Sequence, residues 1–310
     1  MTCSEDRVTV AVVSYNTRAL LLDCLRSIAE GASGRDLDII VVDNNSSDGS
    51  DEAVRRFFPQ AALIRNPQNF GFGRACNQAI AATSSPYILL LNSDASLNRE
   101  ALDALCDCMR NDPRCGAAGC RVLDSSGVPV INTRHFLNPI NQALELLGIR
   151  ISSRVLGRSQ APRLDQRNQD CSIDWIDGAC LMLRRAAIED AGFFDERFFM
   201  YSEDEDLCFR LKQRGWPICF TASGSVTHRG GGSAAQNRLE SLVSYYSSQL
   251  EFLLKNRSSF SARLYLWIMR CILRVKRFFK RPSRMAGFEA TADEMIQALR
   301  HAAKNAQAPM

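Results

Sequence analysis

The sequence predicts an α/β fold: a mostly parallel, twisted sheet flanked by helices, followed by a helical C-terminal extension. Two observations carry this expectation. From Arg7 to Met109, short β-branched runs alternate with segments of helical apolar spacing, and the runs end in clusters of Asn, Ser, Asp or Gly. From Asn237 onward the pattern stays helical nearly to the end, with a break around Pro282.

The elements follow in order. Arg7–Tyr15 (RVTVAVVSY) reads as a buried parallel strand. Thr17–Glu30 places Leu20, Leu21, Cys24, Leu25 and Ile28 on one helical stripe. LDIIVV is a second strand ending at Asp43 in the loop DNNSSDGS, followed by a helix over Asp51–Phe58 and a strand over Ala61–Arg65. NFGFGRACNQAIAA opens the next helix, YILLLN is a fourth strand, and Arg99–Met109 is helical again. Residues 122–172, rich in Ser, Asn, Arg and Gln, lose periodicity and are expected to form a long excursion, a candidate acceptor loop. Order returns with the strand-like SIDWIDGACLMLRR and a helix over Ser202–Arg214. In open sheets of this kind ligands sit at the carboxyl ends of the strands. Tyr15, Asp43 and Asn92–Asp94 all fall there.

Composition narrows the class. Hydrophobic residues make up 46% and charged residues 23% of 310, an ordinary globular balance. Twelve cysteines are scattered without a C-x-x-C pair, and there are three histidines, so spacing predicts no structural zinc site. The cysteines read as reduced, which favours the cytosol. MTCSEDRVTVAVVSYN lacks the basic start and apolar run of a secretory signal, and no apolar stretch reaches spanning length. The net charge of +4 hides an asymmetry: ten basic residues and no acid lie between Lys255 and Arg284.

Several residues are placed to do chemistry, each beside a plainer role. Asp43 ends a strand rigidly at a cleft edge, where a carboxylate accepts the N3–H of uracil or thymine; it also suits a turn-former in an Asp-rich loop. Asp94, after Asn92 and Ser93, can hold a divalent cation against a diphosphate, or simply close a strand-end turn. Gly71, Gly73 and Arg74 at a helix start let the backbone approach an anionic ligand, although the spacing is not the dinucleotide fingerprint. The acids Glu203 to Asp206 complement the dipole of the helix they open. Four together behind FFMY look like a site wall, because crowded carboxylates have raised pKa values suited to a general base. His228, before a glycine run, is structural or joins a metal or phosphate site. Trp175 and Asp177 stack on and hydrogen-bond a sugar, or are a core tryptophan and a strand-end acid.

Taken together, VVSYN, VVDNNSSDGS, NFGFGRACNQA, LLLNSDA, WIDGACLMLRR, FFDERFFMYSEDEDLCFRLKQRGW and THRGGGS resemble the family 2 glycosyltransferases, particularly the bacterial rhamnosyltransferase-like branch. They occur in the family's order over roughly residues 7 to 235, about three quarters of the chain. The resemblance implies a GT-A fold, Mg2+ or Mn2+, and transfer with inversion at the anomeric carbon. It implies that Asp204 is the catalytic base. The nucleotide-sugar would be held by Ser14, Tyr15, Asn16, Asp43, Asn69, Gly71, Arg74, Asn77, Asn92 and Ser93. Asp94 and His228 would reach the metal, and Trp175, Asp177, Gly178 and Glu203 would contact sugar or acceptor. The chain departs from the family's D-x-D in having Asn92, which removes one charged metal ligand.

The expected organisation is a catalytic domain over 1–236, with a nucleotide-sugar half to about 121 and an acceptor half over 122–236, then an extension over 237–310. In FSARLYLWIMRCILRVKRFFKR, residues Arg263, Arg270, Arg274, Arg277 and Arg281 form one stripe opposite Leu266, Ile268, Leu273 and Phe279. This 258–284 helix suits an anionic membrane surface, with packing on the fold and nucleic-acid binding as the competing uses; no nucleic-acid partner is expected. The predicted function is transfer of rhamnose or a similar hexose from a dTDP- or UDP-sugar to a glycan or polyprenyl-linked acceptor, in bacterial surface polysaccharide synthesis. The predicted place is the cytoplasm, peripheral on the inner face of the cell membrane. A nucleotidyltransferase and a catalytically silent sugar-nucleotide-binding protein are the alternatives. The first lacks support, because VVSYNTRALL has no basic glycine-rich loop after the first strand.

Overall fold

A computed structural model describes residues 7–32, 35, 37–146, 171–230, 238–278, 283–285 and 288–307. The first half is built from β1 (Val8–Ser14), α1 (Arg18–Ala32), β2 (Leu37–Asp43), α2 (Ser50–Phe57), β3 (Ala62–Arg65), α3 (Phe72–Ala81), β4 (Tyr87–Asn92), β5 (Ala95–Ser96) and α4 (Arg99–Asn111). The second continues with β6 (Ala117–Leu123), β7 (Pro129–Val130), β8 (Thr133–Arg134), α5 (Pro139–Leu146), β9 (Cys171–Ile173), β10 (Trp175–Ile176), β11 (Cys180–Arg184), α6 (Arg185–Ala191), α7 (Glu203–Gln213) and β12 (Ile218–His228). The extension holds α8 (Arg238–Asn256), α9 (Ser259–Phe278), β13 (Ser283–Met285), β14 (Phe288–Ala290) and α10 (Ala292–Gln307).

The main sheet runs β3-β2-β1-β4-β11-β6-β12-β5. Its first four strands are parallel, β11 is antiparallel to β4, and β12 runs parallel to β6. Ser14 and Asp43 sit side by side in register, and Val13 sits beside Asn92, so three loop-bearing strand ends share one edge. Alternation along β1 explains the layering: Val8, Val10 and Val12 join α1 and α4 in one core, while Ala11 joins α3 and α7 in the other.

The strand-like segment SIDWIDGACLMLRR divides into three strands with three different partners: β9 with β12, β10 with β8, and β11 with β4 and β6. Asp174 and Asp177-Gly178 interrupt it. Asp174 accepts from Lys212 Nζ at 2.9 Å and pairs with His135 Nδ1 at 2.9 Å, so its carboxylate pulls the chain out of the ladder. The expected excursion over 122–172 contains β7, β8 and α5 in its described part; residues 147–170 lie outside the described residues. So do 231–233 of the glycine run, and Phe279, Arg281 and Pro282 of the basic segment.

A third core joins the extension to the preceding α/β part of the chain. Tyr246, Phe252 and Leu253 of α8, Tyr265, Met269 and Leu273 of α9, and Met295 and Leu299 of α10 pack with Phe198 and Leu137. Asp206 of α7 is fully buried and bridges the two parts, accepting from Arg210 Nε at 2.8 Å, Lys255 Nζ at 2.8 Å and Asn256 Nδ2 at 2.8 Å. The basic helix α9 therefore packs on the fold through one face. Arg263, Arg270, Arg274 and Arg277 stay outside, while Leu273 is buried and Leu266 and Ile268 are half-buried. Among the described residues, no helix is long and apolar enough to cross a membrane.

Candidate active site

The cleft lies at the carboxyl edge of the parallel strands. Asp43 closes β2 and is 1% exposed; its carboxylate accepts Ser46 N–H at 2.8 Å, so the turn-forming role is real. A carboxylate has further lone pairs, and these remain to accept a base N–H. Burial raises the Asp43 pKa against the lowering pull of Ser46. The loop that follows is tied back to β1: Ser47 N–H donates to Asn16 Oδ1 at 2.8 Å, with Asn16 at φ 54°. Tyr15 is half-buried beside it.

A chain of hydroxyls links two strand ends. Ser14 Oγ and Thr17 Oγ1 are 3.0 Å apart, and Thr17 Oγ1 and Ser93 Oγ are 2.9 Å apart. Thr17 was not among the sequence candidates, though its spacing of three from Ser14 across a helix start is the visible signal.

Past Ser93 the chain turns at Asp94 into β5, which pairs with the end of β12 so that Ala95 faces His228. This pairing sets His228 Nε2 2.9 Å from Asp94 Oδ1, with Asn92 Nδ2 at 3.3 Å from the same nitrogen. Burial opposes charge on the imidazole; the Asp94 bond and charge, with Asp177 behind, outweigh it and raise the His228 pKa. The Asp94 carboxylate is the hard oxygen donor that Mg2+ or Mn2+ takes, and His228 would join as a ligand only after giving up the proton it shares with Asp94. Asn92 lies in the same cluster as a neutral group, so the departure from D-x-D keeps the place and removes a charge.

The wall opposite is the start of α7, entered through Tyr201 and Ser202 at φ 70° and 60°. Its four acids have different partners. Asp204 is 8% exposed, with Oδ2 accepting Gly178 N–H at 2.8 Å and Oδ1 accepting Glu205 N–H at 2.8 Å. Burial and the nearby Asp177 charge push its pKa up to about 7, against the pull of those backbone donors. Burial and Asp204 push Glu203 up as well, and its Oε2 has no partner. Glu205 accepts Leu137 N–H and is pushed by burial up to about 8. Asp206 is the structural acid described above.

The NFGFG loop meets this wall backbone to backbone. Phe72 N–H donates to Phe199 O at 2.9 Å, and a Cβ on Gly71 would lie 2.1 Å from the same oxygen at φ +83°. Gly71 is thus required by a close approach to the protein's own chain. Asn69 Oδ1 accepts Gly71 N–H at 2.9 Å, and Asn44 Nδ2 donates to Gly71 O at 3.0 Å; Asn44 is another residue the sequence reading passed over. Asn77 binds Phe194 through both ends of its amide, which commits it to the α6–α7 loop. Arg74 is exposed, 3.4 Å from Glu196 and stacked over Phe70. Trp175 donates to His135 O at 3.1 Å from a half-buried position.

Away from the cleft, α4, the turn before β6 and β12 bring the sulfurs of Cys108, Cys115 and Cys219 within 4.8 Å of one another, a cluster that spacing along the chain did not reveal.

Residues 9–192, more than half of the chain, match the family described as Glycosyl transferase family 2. An N-acetylglucosaminyl-diphospho-decaprenol L-rhamnosyltransferase of Mycobacterium tuberculosis is 27% identical over 276 residues, 86% of this chain and 90% of the relative. A pre-mycofactocin glycosyltransferase of the same organism is 29% identical over 228 residues, 73% of this chain and 43% of the relative. In structure, a mannosyltransferase of Pyrobaculum calidifontis, solved with GDP-Man and Mn2+, superposes with a TM-score of 0.56 at 17% identity, covering 98% of this chain and 76% of the other. With its GT-A sheet and a match running from β1 to the end of α6, the chain belongs to glycosyl transferase family 2 and is a glycosyltransferase.

Proposed function

We propose that this glycosyltransferase moves rhamnose or a similar hexose from a dTDP- or UDP-sugar, with inversion, to a hydroxyl of a glycan or polyprenyl-linked acceptor in bacterial surface polysaccharide synthesis. The observation that carries this reading is Asp204. A buried carboxyl held near pH 7, anchored by two backbone donors, is tuned to accept a proton at neutral pH. In the proposed step Asp204 takes the proton of the acceptor hydroxyl, the freed oxygen attacks the anomeric carbon, and the bond to the nucleoside diphosphate breaks on the opposite face. Asp43 accepts the N3–H of the pyrimidine, and the Ser14–Thr17–Ser93 hydroxyls offer donors beside it. Asp94 and His228 would hold Mg2+ or Mn2+, which when bound neutralises charge on the diphosphate. Asp177 and Gly178, next to Asp204, line the sugar and acceptor side. The lipid-linked acceptor is supported by the printed activity of the mycobacterial relative, and it sets the enzyme at the inner membrane face through the 258–284 helix.

Thermal-shift titration with dTDP-rhamnose, UDP-glucose and GDP-mannose, with and without Mn2+, tests the reading. Stabilisation by the pyrimidine donors, enhanced by Mn2+, is expected. A response to GDP-mannose alone, or to no donor, rejects it.

A further inference from the structure

The outer side of the extension carries a feature that sugar transfer does not use. Phe260, Arg263, Trp267, Arg270, Arg274 and Phe278 recur at helical spacing along one exposed line of α9. Phe260 is 73%, Trp267 64% and Phe278 82% exposed. Its opposite side, Tyr265, Met269 and Leu273, is buried in the third core. Phe260 and Phe278 stand roughly 27 Å apart along the axis, so the ridge defines a straight edge rather than a compact spot.

Beside this ridge, between α9 and α10, is a cavity of about 320 Å³ lined by Arg270, Gln297, Arg300, His301, Ala303 and Lys304. Arg300 and Lys304 are one helical turn apart, a like-charge pair that costs stability unless something anionic lies between. Cations near a helix C-terminus complement its dipole, which accounts for Lys304 but not for Arg270 in the middle of α9. Neither wall supplies an acid. None occurs between Lys255 and Arg284 or after Glu294, while Asp293 is paired with Arg277 and Glu294 with Arg238. Among the described residues, Arg263, Arg270, Arg274, Arg300 and Lys304 have no carboxylate partner.

We infer that the α9–α10 cavity binds the phosphate of an anionic phospholipid while Phe260, Trp267 and Phe278 enter the bilayer interface. A straight line of aromatic rings interleaved with arginines matches a bilayer interface, where rings enter the apolar layer and long cationic side chains reach the charged layer beside it. A cavity of converging cations matches one headgroup phosphate per chain rather than a polymer backbone. The inference rests on the membrane-facing acceptor proposed above, but vesicle binding requires no donor, so the two readings fail separately.

The test is flotation of the full chain with phosphatidylcholine vesicles, with and without phosphatidylglycerol. Two triple variants, Arg270→Ala/Arg300→Ala/Lys304→Ala and Phe260→Ser/Trp267→Ser/Phe278→Ser, are compared with wild type. All six side chains are exposed, so thermal melts of both variants should match wild type. Wild type is expected to bind only the anionic vesicles. At about fivefold per cation, the cavity variant should bind on the order of a hundredfold more weakly. The ridge variant should also lose binding, and both variants should keep donor-induced thermal shifts. Equal vesicle binding by wild type and the cavity variant overturns the inference. Binding of glycerol phosphate but not vesicles overturns it, as does tighter binding to single-stranded oligonucleotides than to anionic vesicles.

Discussion

Replacing Asp204 by asparagine separates a base from a structural acid. The carboxyl lies at about 7 because burial and Asp177 outweigh the donors from Gly178 and Glu205. A group at that value is about one-tenth ionised one pH unit below and about nine-tenths one unit above, so wild-type turnover should rise roughly tenfold between about pH 6 and pH 8. The asparagine cannot take a proton, so turnover should fall about a hundredfold to ten-thousandfold and lose that pH dependence. Its NH2 must face either the Gly178 or the Glu205 N–H, donor against donor, which costs about 1–3 kcal/mol. Relief from burying a carboxylate offsets part of that cost, so folding should survive. The assay is nucleoside diphosphate release at saturating donor from about pH 5.5 to 8.5, with donor affinity followed separately by thermal shift. A variant within tenfold of wild type, or one that keeps the acidic limb, refutes the assignment.

Glu205 tests the electrostatics of the same wall through stability. Its folded value of about 8 exceeds the ordinary 4.5, so the folded state holds a proton that the unfolded chain releases. The stability this adds is full below about pH 4.5 and is lost as pH rises through about 8, a change of a few kcal/mol. Melting temperatures of Glu205→Gln should therefore decline less over that window than wild type; parallel curves contradict the burial argument. Asp94→Ala should abolish the Mn2+-dependent part of the donor-induced thermal shift and keep the part owed to Asp43; an unchanged Mn2+ response removes Asp94 from the metal site. Gly71→Ala forces a Cβ to 2.1 Å from Phe199 O at positive φ, and should cost about 2–4 kcal/mol in denaturant unfolding. A loss below about 0.5 kcal/mol would show that the two loops do not meet as described.

The order of elements was legible because it is written locally. β1, β2 and β4 are apolar runs, and the caps and loops between them sit where Asn, Ser and Asp cluster. β6 was not legible, since Ala117–Leu123 contains Ala, Gly and Cys in place of β-branched residues. Those small residues answer to a distant neighbour: a Cβ on Gly119 would lie 1.9 Å from Ile176 Cδ1. The Asp94–His228 pair was legible only through the resemblance, because its two residues lie 134 positions apart and meet through the β5–β12 pairing. Crowding of four acids singled out the wall but gave no means to divide it. Only packing shows that Asp206 faces Lys255, Asn256 and Arg210 while Asp204 faces Gly178. The helical tail was legible as amphipathic, yet which side packs was not, because its apolar residues occupy two faces and the fold buries only one.

The grip of Lys255 and Asn256 on Asp206 has a further consequence. A boundary at residue 236 follows the sequence, but it separates a buried carboxylate from two of its three partners, Lys255 and Asn256, and leaves it Arg210 alone, two positions along the helix from Asp204. Leaving a buried charge with no partner at all costs about 3–5 kcal/mol, and losing two of three partners takes a part of that, a large share of the margin that keeps a domain folded. The first 236 residues are therefore not an interchangeable engine to which different tails can be attached. Grafting another family member's tail would have to carry over the lysine and asparagine, so the two halves have to be inherited together.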